Sequence, residues 1–326
     1  MKEIYFENYK KINNLIENTV SLNKKIDLNI AFTKLSEVYL YSYLWSIITK
    51  DHFIFNDFER VYSDLTYSDH ILKRQDEIKS KLKLTRNIKG NYFLLGGENN
   101  YWHLLIDYLP RLICLKKILT KDIIVIIDSE ISNKFQIFIL DILKKLNLVN
   151  VKFIKINRVN KLYKFQNLFI SKRPTMRFTY SFYDELFEKY LEKNPSKNLY
   201  IKRGNVKNRK VINEIDVEQL LLKYNYEIID CSELNVQDQI NIFSQAKNIV
   251  IVSGASLANL LFVPNNINVV EIRSNLDGEF SSKIKMKNRF NLYQFTKSQK
   301  IGQNLRKDIL VDIKELDYLI NHNKIY

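Results

Sequence analysis

From about residue 92 onward, apolar positions fall into short runs separated by helical periodicities. Tyr92-Phe93-Leu94-Leu95 is a strand-like run that ends in Gly96-Gly97, a tight turn. Asn99 and Asn100 are both N-cap residues, and an apolar-rich helix is predicted from Tyr101 to about Leu119. Within it Pro110 lacks the N–H that would bond residue 106, so the helix kinks or restarts there. Asp122-Ile-Ile-Val-Ile-Ile-Asp128 is a continuous β-branched run, the pattern of a parallel strand covered on both faces. A helix over 133–146 and a strand over 151–156 follow, which makes a βαβ unit.

The second half repeats the theme. Strands are predicted at Leu199–Arg203, Tyr226–Ile229, Asn248–Val252 and Val269–Ile272, with a helix at 182–192 before them that could bridge the domains and helices at 217–224 and 236–246 between them. The run at 248–252 ends in Ser253-Gly254-Ala255-Ser256, which opens a helix through Leu261. The expectation is an α/β protein of two Rossmann-like halves: an N-terminal domain over 1–175, a linker near 171–196, and a C-terminal domain over 176–305. A last helix over 308–320, within the segment 306–326, is expected to pack back on the first domain. Residues 1–90 are mixed. Ile54-Phe55 and Val61-Tyr62 suggest a hairpin around Asn56-Asp57, and 76–84 is irregular or helical.

Composition narrows the picture. With 326 residues and 46% hydrophobic residues, two domains of ordinary size can each bury a core. Lys and Arg number 51 against 36 Asp and Glu, a net charge of +15 that attracts polyanions: nucleic acid, an anionic membrane or phosphorylated small molecules. The basic residues are scattered along the chain as KK and KxK pairs, with no recognition-helix pattern, which disfavours nucleic acid. Peripheral attraction to anionic lipid is a secondary expectation. Cys114 and Cys231 have no CxxC spacing and read as core residues of a reducing compartment. No signal-peptide pattern or spanning apolar stretch is present, so the expected location is the cytoplasm, at most the inner face of the cell membrane.

Two segments carry chemistry. In IVIVSGASLANLLF a buried parallel strand turns directly into a helix. Gly254 permits close approach of a ligand to the backbone, the helix start favours phosphate, and Ser253 and Ser256 add hydroxyls. Arg203, Arg209 and Lys210 lie in one polar loop and could clamp a diphosphate; a solvated basic loop is the plain alternative. Asn213-Glu214 would cap the next helix, and Glu271 near the end of its strand could bond ribose hydroxyls or be an ordinary exposed strand end. In the first half, Gly96-Gly97-Glu98-Asn99-Asn100-Tyr101-Trp102-His103 brings one of only 4 histidines to a helix start. Asp107 follows four residues later on the same face. His103 suits proton abstraction from a hydroxyl, with Asp107 as its orienter or as the base itself; a satisfied core histidine is the plain alternative.

These segments resemble glycosyltransferase family 61, which includes plant xylosyltransferases, animal O-GlcNAc transferases and bacterial capsule-synthesis proteins. The matching residues are Asn100, His103, Asp107, Pro110 and Arg111 in NYWHLLIDYLPRL; Arg203, Arg209, Asn213 and Glu214 in YIKR…RKVINE; and Gly254, Ala255, Asn259, Leu260 and Glu271 in the stretch from Gln239 to Ile272. Two positions depart: Ser253 stands where many members carry His, and Ala258 where Thr is common. The resemblance implies a GT-B architecture, with the donor nucleotide held mainly by the C-terminal domain, and inversion at the anomeric carbon. It implies catalytic His103 and Asp107. Donor contacts would come from Arg203, Arg209, Ser253, Gly254, Ala255, Ser256, Asn259 and Glu271, and acceptor-side contacts from Gly97, Asn100, Arg111 and Glu214.

No Asp-x-Asp pair occurs, consistent with a metal-independent hexosyl- or pentosyltransferase that needs no cofactor. The expected partners are a nucleotide sugar, UDP-linked for preference, and a glycan or glycolipid acceptor of bacterial surface polysaccharide or lipid-linked glycan synthesis. A nucleotide-sugar epimerase fits less well, because no GxGxxG follows a strand. The alternative from another class is a non-enzymatic basic protein that binds anionic membrane or nucleic acid.

Overall fold

The apolar runs become strands in a computed structural model, which describes residues 9–11, 18–23, 26–49, 53–55, 75–82, 85, 87–118, 122–159, 161–204, 206, 209–273, 289–296, 298–301 and 308–326. The proposed strand at Val61-Tyr62 lies outside them, while Ile54-Phe55 falls in a strand, Phe53–Phe55. The chain divides into two units, Met1–Thr179 and Tyr180–Tyr326. Both are mixed α/β with parallel strands. Among the described residues no helix is long and apolar enough to cross a membrane.

The strands of the first unit are β1 (Tyr9–Lys11), β2 (Asn18–Asn23), β3 (Ile26–Tyr41), β4 (Ser46–Ile48), β5 (Phe53–Phe55), β6 (Asn87–Gly96), β7 (Ile123–Asp128), β8 (Lys152–Ile156) and β9 (Leu162–Ser171). They form one sheet in the order β1-β5-β4-β3-β9-β6-β7-β8, with β2 on β3. The strands β9, β6, β7 and β8 are mutually parallel, and β3 runs antiparallel to β9. The β-branched run at 123–128 is β7, an interior strand with Val125–Asp128 buried. Leu40, Trp45, Leu94, Ile126, Phe165 and Leu168 meet in the core on one side of this sheet.

Helix α1 (Gln75–Leu82) precedes β6, and α2 (Asn133–Lys145) follows β7. In α2, Phe135, Phe138, Ile139, Ile142 and Leu143 recur at helical spacing and are buried. It ends as left-handed Asn147 lets Leu148 N–H reach the Leu143 carbonyl, 2.8 Å, a Schellman closure. The division between units falls within α3 (Met176–Phe187).

In the second unit β10 (Lys197–Lys202), β11 (Tyr226–Asp230), β12 (Ala246–Val252), β13 (Ile267–Ile272) and β14 (Phe290–Phe295) form an all-parallel sheet in the order β11-β10-β12-β13-β14. Its register carries a side-chain ladder. Asn248 donates to Asn198 (2.8 Å), Asn268 to Asn248 (2.9 Å) and Asn291 to Asn268 (3.0 Å). A slip of one strand by one residue would turn its asparagine to the other face and break the row.

Helices α4 (Glu214–Lys223) and α5 (Val236–Phe243) connect these strands. The C-terminal segment corrects two expectations. Residues 308–311 are a strand, β16 (Asp308–Val311), antiparallel to β15 (Ser298–Ile301), and only Ile313–His322 is helical, α6. The boundary is set by Asp312, which accepts from Lys314 N–H and Glu315 N–H, both 3.1 Å. Leu316 and Ile320 of α6 enter the second unit's own core with Val217, Leu221 and Tyr226, and Tyr226 Oη donates to the Ile325 carbonyl, 2.6 Å. The helix therefore completes the second unit instead of the first. Asn213 stands at the N-cap of α4 but directs its amide to both backbone groups of Val311, 2.9 and 3.0 Å.

Candidate active site

Parallel strands present their carboxyl ends at one edge, and in an open sheet the loops part where the strand order reverses. In the first unit the chain proceeds β6, β7, β8 in one direction and then returns to place β9 on the other side of β6. The reversal lies between β6 and β9, so the loops after Gly96 and after Ser171 share that position. Gly97 makes the turn out of β6. Its φ is +112°, and a Cβ there would lie 2.7 Å from Ile131 Cδ1, so only glycine fits.

Asn100 caps the segment that follows, accepting from His103 N–H at 3.3 Å. Tyr101–His103 is α-helical, Leu104–Tyr108 widens to a π turn, and Leu109–Lys116 tightens to 3-10 geometry. Pro110 is the cause: it cannot donate to the Ile106 carbonyl, which receives Thr179 Oγ1 at 3.3 Å in its place.

On this segment His103 Nδ1 lies 2.6 Å from Asp107 Oδ2, and both residues are buried. The other oxygen of Asp107 binds Arg173, with Nε at 2.8 Å and Nη2 at 2.6 Å. His103 Nε2 has no hydrogen-bond partner among the described residues; Glu98 Oε1 stands 3.7 Å away. Glu98 in turn is 3.4 Å from Arg158, which follows β8, and Arg158 is 4.0 Å from Asp128 at the end of β7. Every strand of the parallel set thus delivers a charged group to this edge.

Burial alone would raise the Asp107 carboxyl, but the hydrogen bond from His103 and the charge of Arg173 outweigh it and hold Asp107 below the ordinary aspartate value. A carboxyl depressed in the folded state contributes stability that is present above its unfolded pKa and lost as pH falls through the lower folded value. Asp107→Asn is therefore expected to flatten the decline of Tm below about pH 4. An acid-unfolding series that retains the wild-type slope there would contradict this.

In the second unit the chain passes from β10 to β11 on one side and then to β12 on the other, so the reversal lies between β10 and β12. Arg203 follows β10 and Ser253-Gly254 follows β12. They meet: Arg203 Nη1 donates to the Ser253 carbonyl at 2.7 Å. Gly254 is extended, and a Cβ there would fall on that Arg203 nitrogen. Ser253 N–H bonds the Ile272 carbonyl, 2.9 Å, while its buried Oγ has no hydrogen-bond partner among the described residues. Ala255–Phe262 is a 3-10 helix, with Ala255 and Ser256 partly exposed at its start. Among the described residues no group of three His, Cys, Asp or Glu side chains is arranged to hold a metal ion.

Both candidate sites lie inside or beside one stretch of homology. The Glycosyltransferase 61 profile matches residues 101–270, more than half of the chain. The chain belongs to the Glycosyltransferase 61 family. It is a glycosyltransferase. No curated protein matches it significantly. Among solved structures, the E. coli heptosyltransferase WaaC with ADP is similar at 8% identity and a TM-score of 0.34, over 72% of this chain and 100% of that chain.

The Glycosyltransferase 61 match takes in His103, Asp107, Arg173, Arg203 and Gly254; Glu98 and Asn100 just precede it, and Glu271 lies one residue beyond. Arg111, expected beside substrate, is fully enclosed with its guanidinium 5.4 Å from the Tyr108 ring centre, and burial lowers its pKa. Asn259, expected at the donor, is buried with its amide donating to Gln239, 2.8 Å, so it fixes the 3-10 helix internally. Glu214 accepts from Tyr200 Oη at the start of α4, and burial raises its carboxyl.

Glu271 is 1% exposed, which removes the exposed strand end as an explanation for it. Arg209 has left-handed backbone, φ 59°, just before Val211 and Ile212 join Ile309 of β16. Cys114 and Cys231 are buried free thiols, as expected, and burial pushes Cys114 up to about 12. Arg173, Glu98 and Arg158 were not singled out. The signal for Arg173 is a cation pair, Lys172-Arg173, one residue after the apolar run 168–170.

Proposed function

We propose that this Glycosyltransferase 61 member transfers a sugar, with inversion and without a metal, from a nucleotide-linked donor, UDP-linked for preference, to a hydroxyl of a glycan or glycolipid acceptor. The reading rests on one arrangement: a buried histidine tied through Nδ1 to an ionised aspartate, with Nε2 uncommitted at the carboxyl edge of a parallel sheet. In the proposed step Nε2 takes the acceptor proton as the acceptor oxygen bonds the anomeric carbon. The bond from that carbon to the diphosphate oxygen breaks, and its electron pair leaves with the diphosphate. Arg203 and the backbone N–H groups of the turn at Gly254, Ala255 and Ser256 answer the charge that develops there.

The GT-B pairing of the two Rossmann-like domains belongs to this proposal, since His103 and the Gly254 turn must serve one reaction. So does a place in bacterial surface polysaccharide or lipid-linked glycan synthesis, at the cytoplasmic face of the membrane. The net charge of +15 suits both a diphosphate donor and an anionic surface.

A thermal-shift series with UDP-, GDP- and CMP-linked sugars tests the reading. One of them, at about a hundred times its Kd, is expected to raise Tm by about 5 °C or more through mass action. No shift with any of them would overturn the nucleotide-linked donor.

A further inference from the structure

Two carboxylates flank the His103 ring. Asp107 Oδ2 lies 2.6 Å from Nδ1, and Glu98 Oε1 lies 3.7 Å from Nε2. Anions on both sides of an imidazole favour its doubly protonated form, and an imidazolium has no lone pair with which to accept a proton. A base in this position needs that negative charge answered from elsewhere.

Two arginines answer it, and not equally. Arg173 places Nε and Nη2 on Asp107 Oδ1 at 2.8 and 2.6 Å, whereas Arg158 stands 3.4 Å from Glu98 and 4.0 Å from Asp128. Two ion-paired groups meet the ring, Arg173 with Asp107 at Nδ1 and Arg158 with Glu98 at Nε2, tight at the Asp107 end and loose at the Glu98 end. The oxygens of Asp107 are divided, Oδ1 to Arg173 and Oδ2 to His103. Arg111, enclosed on the same helical segment, also interacts electrostatically with this carboxylate.

We infer that Arg173 is a positioning residue: by holding Oδ1 of Asp107 and carrying its countercharge, it keeps the His103 ring singly protonated, on Nδ1, with the Nε2 lone pair presented to the acceptor. This rests on the assignment of His103 as the base. Without Arg173 the buried Asp107 would have His103 as its remaining close partner and would draw a second proton onto the ring. The base would then be occupied before any acceptor arrived.

The test is nitrogen NMR of the full chain labelled at its 4 histidines, with His103 assigned by the signals missing from His103→Gln. In the wild type at neutral pH, His103 should show a protonated Nδ1 and a bare Nε2. Arg173→Gln should show both nitrogens protonated at the same pH, and Arg173→Lys, which keeps the charge, should return the wild-type pattern. In turnover, Arg173→Gln should lose about 10- to 100-fold in kcat with KM little changed, and recover as pH rises.

A wild-type ring already doubly protonated at neutral pH would overturn the inference. So would a folded Arg173→Gln protein with the wild-type spectrum. If the Gln variant does not fold, a doubly protonated ring in Arg173→Lys overturns it equally. The ring state is read without substrate, so failure of the transferase reading would appear in turnover and ligand binding and leave the spectrum as expected.

Discussion

His103→Ala is expected to remove about 10²- to 10⁴-fold of kcat and to leave the affinity for a nucleoside diphosphate unchanged. The substitution deletes the proposed proton acceptor, which sits in the first unit, while the proposed diphosphate cradle is built from β10 and β12 of the second. Asp107→Asn should lose a comparable share of kcat. An amide can present N–H to Nδ1, and the ring would then have to place its proton on Nε2, where the acceptor needs a lone pair. Single-turnover rates, paired with calorimetric titration of UDP, separate the two effects. Turnover within a few-fold of wild type in His103→Ala would remove the ring from the chemistry and leave Asp107 or Glu98 as the base.

The second large effect is expected at Arg203. Arg203→Ala should weaken diphosphate binding by about 10- to 100-fold, the range for loss of one charge-assisted hydrogen bond. Gly254→Ala should act in the same direction without touching the arginine, because the new methyl group takes the place of Nη1 and lifts the guanidinium from the Ser253 carbonyl. The tip of an arginine can move, so this variant is expected to fold and to lose affinity rather than stability. UDP affinity equal to wild type in both variants would place the diphosphate elsewhere.

Much of the fold could be read from runs that are buried on both faces. Ile123–Ile127 and Ile249–Val252 announce themselves because every position is apolar and β-branched, as an interior parallel strand favours. The strand β9 does not. Lys164, Gln166 and Asn167 interrupt it, and only Phe165 and Leu168–Ser171 are buried, yet it lies between β3 and β6. Missing β9 also meant missing Arg173, whose place beside Asp107 follows from the parallel pairing of β9 with β6.

The His103–Asp107 pair was legible because its spacing is local. The Arg203–Ser253 contact spans 50 residues and depends on β10 and β12 being neighbours, which strand order decides and local pattern does not. Arg111 shows the converse: its motif was legible, but the π turn before Pro110 decided which way it points, and it points inward.

Each unit closes on a late segment. β9 is the ninth strand of the first sheet, inserted between β3 and β6, and the core of the second unit is finished by Leu316, Ile320 and Ile325. A ribosome must have delivered Ser171 before the first sheet can zip together, and Ile325 before the second core can exclude water. Until then β6 has one edge bare and the core face of β10, β12 and β13 is incompletely covered, the kind of surface that chaperones shield and that neighbouring nascent chains join by mistake.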